Sequence, residues 1–174
     1  MTGPGGDRFR TSMSLLATGV TVVTTTTRDG PVGMTASAVC SLSLEPPQLL
    51  VCVQQALPTH VALEESAAFG VSVLGEEHVG VARRFATRGA DRFGGLTLRD
   101  DVDVPILADA IAFFECRVEE RHPGGDHSIF VGRVLRCGHQ PGRRPLLYFD
   151  RAFASMEPAD YTLFRSWAET GQIA

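Results

Sequence analysis

Thr35, Ser37, Ser41 and Ser43 stand at odd positions in the stretch VGMTASAVCSLSLEPPQLLVC. Side chains two apart on extended chain point to the same face. Four hydroxyls and the neighbouring backbone N–H groups therefore line one wall. Such a wall holds an anion, or a ring carbonyl, without a formal positive charge. The small-residue composition from Thr35 to Ser43 leaves room for a planar ring. Alternation alone also fits an ordinary solvated strand face, which often carries Ser and Thr.

Three further groups could do chemistry. His127 follows Gly124-Gly125-Asp126 and opens an apolar run. An imidazole there can donate or accept near neutral pH, and the same residues also read as a plain hairpin turn. Arg83, Arg84 and Arg88 flank Phe85. A guanidinium fork suits phosphate, and the same pattern suits a solvated helix face. Thr59 follows Pro58 at a helix start, where a hydroxyl can donate to phosphate. No GxSxG or HExxH pattern is present, so a hydrolase has no support. All sixteen basic residues are Arg, which excludes a Schiff-base or phosphate-loop lysine.

These residues need a scaffold. Asp7 is placed to cap a helix over Arg8–Thr18, which Gly19 ends. Val20–Thr27 is all β-branched and predicts a strand. Arg28-Asp29-Gly30 turns it back into a strand over Val32–Val39. A hydroxyl-rich loop ending in Pro46–Pro47 leads to a strand over Gln48–Val53. Thr59 caps a helix through Ser66, and Phe69–Leu74 is a strand. His78–Thr87 reads as a short helix, and Gly89–Asp103 as a loop. Ala110–Arg121 and Ser128–Cys137 predict long strands joined at His122–Gly125, with a last strand at Pro145–Phe149. Many short strands and few helices predict a closed or half-closed barrel.

Length allows one domain with a real core, expected over residues 1–157. Residues 158–174 form an amphipathic tail with Tyr161, Phe164 and Trp167 at helical spacing. A formal charge of −4 argues against nucleic-acid binding. No apolar run has the length of a membrane span, and the first ten residues lack a signal-peptide core. A cytoplasmic protein is expected. Cys40, Cys52, Cys116 and Cys137 lack metal-site spacing and are expected as free thiols.

Five segments in order resemble the short-chain flavin reductases, the small partners of two-component flavin monooxygenases. They are LLATGVTVVTT, GMTASAVCSLSLEPPQLLVCV, FATRGADRFGGL, GGDHSIFVGRV and RPLLYF. The resemblance implies a mainly β fold, an FMN-binding split β-barrel of Greek-key-like order with a few short helices, paired as a homodimer. It implies an NAD(P)H-dependent flavin oxidoreductase that uses FMN or FAD with NADH or NADPH. Reduced flavin would pass to a separate flavin-dependent monooxygenase. A flavin-binding protein of the same fold with an altered reductase role is the alternative, and a flavin-free ligand-binding barrel the third reading.

By the same resemblance, Thr35, Ala36, Ser37, Ser41, Leu42 and Ser43 hold the flavin ring and ribityl phosphate. Cys52, Val53 and Gln54 present backbone to the ring's polar edge, and His127 sits beside flavin and nicotinamide as the catalytic residue. Thr59, Arg83 and Phe85 join the flavin contacts, and Tyr148 and Arg151 the nicotinamide contacts. The family's Arg-Gly-Arg-Tyr after the last strand is replaced by Asp150-Arg151-Ala152-Phe153, so Arg151 alone stands for the paired arginines.

Overall fold

The computed structural model describes residues 5–156. The expected tail over 158–174 lies outside the described residues. Helix α1 spans Gly6–Ser14, and strands β1 (Thr18–Gly19), β2 (Thr21–Thr27), β3 (Gly30–Ala36), β4 (Val39–Leu44) and β5 (Pro47–Gln54) follow. Then come α2 (Pro58–Glu65), β6 (Ala68–Val73), a 3-10 turn at Glu76–His78 and α3 (Val79–Ala86). Two long strands, β7 (Ala112–Gly124) and β8 (His127–His139), precede the short β9 (Leu147–Phe149) and β10 (Ala152–Ala154).

Seven strands form one sheet in the order β3-β2-β6-β7-β8-β5-β4. The edge strands β3 and β4 are separated in the chain by Ser37 and Ala38 alone. Two edges so joined must lie together, so the sheet curls on itself. The Cys52 N–H donating to the Ala38 carbonyl oxygen ties that corner to β5. The second sheet, β1-β9-β10, lies beside it.

The run of threonines in β2 has a physical reason. Thr21 to Thr25 are buried on both faces, between β3 and β6. Buried hydroxyls need partners. Thr21 donates to the Ala36 carbonyl at 2.8 Å, Thr25 to the Ala68 carbonyl at 2.7 Å, and Thr24 to the Pro105 carbonyl. The barrel interior is filled by Val23, Leu49, Val51, Val53, Phe69, Val71 and Phe130. A second cluster under α3 joins Val22, Leu74, Phe85, Leu107 and Leu146. Burial also pushes the Cys116 thiol up to about 12, with Glu115 adding repulsion, so this thiol stays protonated.

Several boundaries differ from the sequence reading. Asp7 lies in the first turn of α1, and Gly5 takes the cap position without a side-chain bond. Thr59 lies inside α2 and is 1% exposed, with Leu57 at the cap. The hydroxyl-rich loop contains β4, paired with β5. The β7–β8 turn is Gly125-Asp126 alone, since Gly124 pairs with His127. A two-residue hairpin loop needs positive φ, and Gly125 supplies +73°.

Gly132 shows how tightly the interior is packed. A Cβ there would lie 2.4 Å from Phe69 Cζ and 2.9 Å from Cys116 Cβ. Gly132→Ala is expected to cost about 1–3 kcal/mol through overpacking. Gly80, in α3, has open space around its Cα, and Gly80→Ala should gain about 0.5–1 kcal/mol. Thermal unfolding of both variants reads the difference, and equal melting temperatures would refute the packing account.

Candidate functional site

Strand β4 has a register shift between Ser41 and Ser43: Ser41 pairs with Leu49 and Ser43 with Gln48. Strict alternation therefore fails at Leu42. Even so, Ser37, Ser41 and Ser43 all line one slot of about 460 Å³. Its walls are Val71, Val73, Phe114 and Val134. Among the described residues, these three serine hydroxyls make no hydrogen bond within the chain. The slot is apolar inside and hydroxyl-bearing at its rim, which fits a flat ring with polar edges.

Thr35 does not join them. Its hydroxyl donates to the Ala82 carbonyl at 2.6 Å and is spent on holding α3 against β3. Ala36 is buried beside it, and Leu42 is 49% exposed on the edge strand.

Two more hollows continue from the slot. The first, about 700 Å³, shares Thr18 and Ser37 with it and reaches Tyr148 and Arg151 under α1. The next, about 800 Å³, shares Tyr148 and Arg151 and reaches Arg83, Thr87 and Phe153. The three form a run from β4 past the Ser37–Ala38 corner to α3. Arg83 therefore lies at the far end from Ser41 and Ser43. Phe85, two residues on, faces the core at 1% exposure and packs edge-on against Phe93, 5.1 Å away between centroids. No face of it is left for a ligand.

Tyr148 and Arg151 are placed by the β9–β10 hairpin. Phe149 pairs with Ala152 across the two-residue turn Asp150-Arg151. Both turn residues have positive φ, +46° and +63°. Non-glycine residues adopt this region at a cost of about 1–2 kcal/mol each. The turn is held from outside: the Asp150 N–H donates to the Ser14 carbonyl at 2.7 Å, and Arg151 donates to the Thr11 hydroxyl at 2.9 Å. These bonds fasten α1, none of whose residues is buried.

His127 lies elsewhere. It pairs with Gln54 across β5 and β8 and lines none of these three hollows. Val134, in the slot wall, stands about 23 Å from it along β8 at the rise of a strand. The Asp126 carboxylate accepts from His127 Nδ1 at 2.7 Å, and this bond holds the Asp126 carboxyl below its usual range. A carboxylate only accepts, so Nδ1 carries the proton, and Nε2 makes no hydrogen bond among the described residues. Gln55 holds the turn, its N–H donating to the Asp126 carbonyl at 3.0 Å. Gln54 is exposed, Val53 is in the core, and Cys52 is half-buried. Burial, with the neighbouring Cys40, pushes the Cys52 thiol up.

Gln48 was not singled out in the sequence, yet it sits on the slot rim. Its Nε2 donates to Glu119 Oε2 at 2.6 Å, and Arg133 faces Glu119 Oε1 at 3.4 Å. The signal was unreadable because Glu119 is far away in sequence.

Fold and hollows together define a barrel protein with a hydroxyl-bearing slot that continues into two further hollows. The flavin reductase like domain family matches residues 13–157. The reductase component of a 4-nitrophenol 4-monooxygenase/4-nitrocatechol 2-monooxygenase from Rhodococcus opacus is 38% identical, over 91% of this chain and 85% of that one. An FMN reductase (NADH) from Agrobacterium fabrum is 40% identical, over 86% of this chain and 87% of that one. Among solved structures, the NADH:FAD oxidoreductase of Streptomyces globisporus, in complex with NAD and FAD fragments, superposes with a TM-score of 0.85. It is 35% identical and the match covers 92% of this chain and 99% of that one. The chain belongs to the flavin reductase like domain family, and the expected mainly β flavin reductase fold is the one observed. Its activity class is that of an oxidoreductase acting on flavin. Among the described residues, no helix is long and apolar enough to cross a membrane.

Proposed function

We propose that this chain oxidises NADH, reduces FMN or FAD, and supplies the reduced flavin to a separate flavin-dependent monooxygenase. The observation that carries this is the hydroxyl-rimmed slot continuing into two further hollows, in a chain of this family. Relatives are named for both FMN and FAD, and for NADH. A bound flavin and a reduced nicotinamide supply the hydride chemistry between themselves; the protein binds and orients.

In this reading, Ser41 and Ser43 donate to the polar groups of the flavin at the slot rim. Val71, Val73 and Phe114 exclude water from its apolar end. Ser37 stands where the slot meets the next hollow, and Tyr148 offers an aromatic face further along the run. His127, with Nδ1 donating to Asp126, turns Nε2 to the nicotinamide, an acceptor on the neutral ring and a donor on the protonated one.

The protein acts as a homodimer in the same proposal. Helix α1 and the two residues after it expose Phe9, Met13, Leu15 and Leu16 by 46–59%, and β8 exposes Leu135 by 52%. Apolar surface of this extent calls for a cover, and a second copy provides one. It also offers a second His127 to each run of hollows. Of the long strands expected at that interface, Leu135 is exposed, whereas Cys116, Phe130 and Val131 face the interior of the chain.

NADH oxidation by the purified chain, followed with FMN, with FAD and without flavin, tests the function. Turnover that needs added flavin, from a species of twice 18.7 kDa in sedimentation equilibrium, is the expected result. Flavin binding without NADH oxidation would leave a flavin carrier instead, and a monomer at micromolar concentration would refute the dimer.

A further inference from the structure

Strand β8 begins by turning every second side chain into the core. Ser128 and Phe130 are buried, and His127 and Ile129, which alternate with them, are half-buried. A hydroxyl thus takes the first place in a row that continues with Phe130. Burying it is costly unless it is bonded. Its partner among the described residues is His60 of α2, whose Nε2 lies 2.8 Å from Ser128 Oγ. The His60 side chain is 13% exposed and meets the Phe130 ring edge-on, 5.6 Å between centroids.

The pair belongs to a wider fastening. Glu64, one helical turn beyond His60, has Oε1 3.5 Å from His60 Nε2 and Oε2 3.7 Å from Arg121 Nε. Arg121, on β7, also donates to the Ser66 carbonyl at 2.9 Å, at the C-terminal end of α2. The Gln55 side chain, just before α2, donates to the His127 carbonyl at 3.3 Å. Both strands of the β7–β8 hairpin are therefore tied to α2 and the segment leading into it. An apolar pair in place of His60 and Ser128 can hold stability nearly level, because a bonded polar pair gains little over apolar groups of the same shape. What the hydrogen bond adds is direction. It admits one placement of helix against hairpin, where apolar contact admits a range.

We infer that His60 is a positioning residue for flavin reduction: through Ser128 it holds the start of β8, and with it the His127 imidazole, in place against the nicotinamide. This rests on the reading of His127 as the residue that meets the nicotinamide. His60 lines none of the three hollows, so it acts through its neighbour and touches neither cofactor. Ser128 is the residue next to His127, so a shift of one carries the other with it. A displacement of about 1 Å in a group that orients a reactant is enough to slow a reaction by about 10²-fold.

Stopped-flow reduction of FMN by NADH at saturating flavin, set beside the thermal midpoint, is the test. The double variant His60→Leu/Ser128→Ala replaces the pair by apolar groups and should keep a midpoint close to wild type. Its reduction is expected to be about tenfold slower, or its half-saturating NADH concentration about tenfold higher. Ser128→Ala alone, the smaller change, should show the same kinetic loss, and it decides the matter if the double variant does not fold. His60→Gln keeps an amide that can bond Ser128 and should recover most of the rate. Combining His60→Leu with His127→Ala should be no slower than His127→Ala alone, since nothing is left to position. Wild-type kinetics in both Ser128→Ala and the double variant would overturn the role. So would a loss that His60→Gln does not relieve, or one that multiplies with the loss in His127→Ala, because a general structural effect behaves in that way. If His127→Ala is slow while the His60 and Ser128 variants are normal, the positioning role falls and the reductase reading stands. If His127→Ala itself reduces FMN normally, the reading of His127 falls and the role of His60 goes with it.

Discussion

The Ser41→Ala/Ser43→Ala double variant is expected to bind flavin about a hundredfold more weakly, with its fold intact. Both hydroxyls line the slot and, among the described residues, bond nothing in the chain. Removing them therefore takes away no internal support. Each lost bond to a phosphate or ring carbonyl costs about 1–2 kcal/mol. Two such losses at sites so close need not add strictly. Fluorescence quenching of FMN and FAD reads the affinity, and the thermal midpoint reads the fold. Thr35→Val is the matched contrast. Its hydroxyl holds α3 through the Ala82 carbonyl, so the loss there should appear in the midpoint. Wild-type flavin affinity in the double variant would take the serine rim out of the site.

The second large effect is expected at His127. His127→Ala should slow flavin reduction by about 10²-fold or raise the half-saturating NADH concentration, at normal flavin occupancy. The argument is positional. Its Nε2 is the ring atom not used by Asp126. His127 does not line the flavin slot, so flavin affinity should not change much. Stopped-flow reduction with NADH separates the two parameters. His127→Gln retains a donor and should recover part of the rate, which a merely structural histidine would not do. Loss of flavin with normal reduction at excess flavin would make His127 a flavin ligand and sink the assignment. Mixing His127→Ala with the double serine variant adds a further reading: activity regained by the mixture shows that the two copies share a site.

The sequence showed the barrel through composition and hairpin spacing. The β-branched run of β2, the Gly30 turn and the two long strands were legible because each is a local signal. Strand β4 was not. Its Cys-Ser-Leu-Ser core has weak strand propensity, and pairing with β5 creates the strand. The sheet order was also hidden, since β5–β8 pairing joins residues about 80 apart in the chain, a separation no local pattern encodes. Among site residues, the parity argument grouped Thr35 with the serines. It could not see that the β3 face of Thr35 is covered by α3. Phe85 was assigned to the site by the resemblance, and nothing local in the sequence says which side of its helix is covered. Its partners Leu74, Leu107 and Leu146 come from three other segments. Arg83 was chosen from its chemistry and Arg151 by the resemblance, but only the folded chain brings them to one hollow.

The shift of register at Leu42 has one more consequence. Strand β4 is an open edge, and an unbroken edge of paired-spacing N–H and C=O groups invites another chain to add to it. Leu44, 85% exposed, would make that edge sticky. The bulge between Ser41 and Ser43 interrupts the regular row and twists the strand. The same irregularity that brings both serines to the slot thus spoils the template for runaway strand addition, and an edge that must stay open for a ligand is kept from growing into an aggregate.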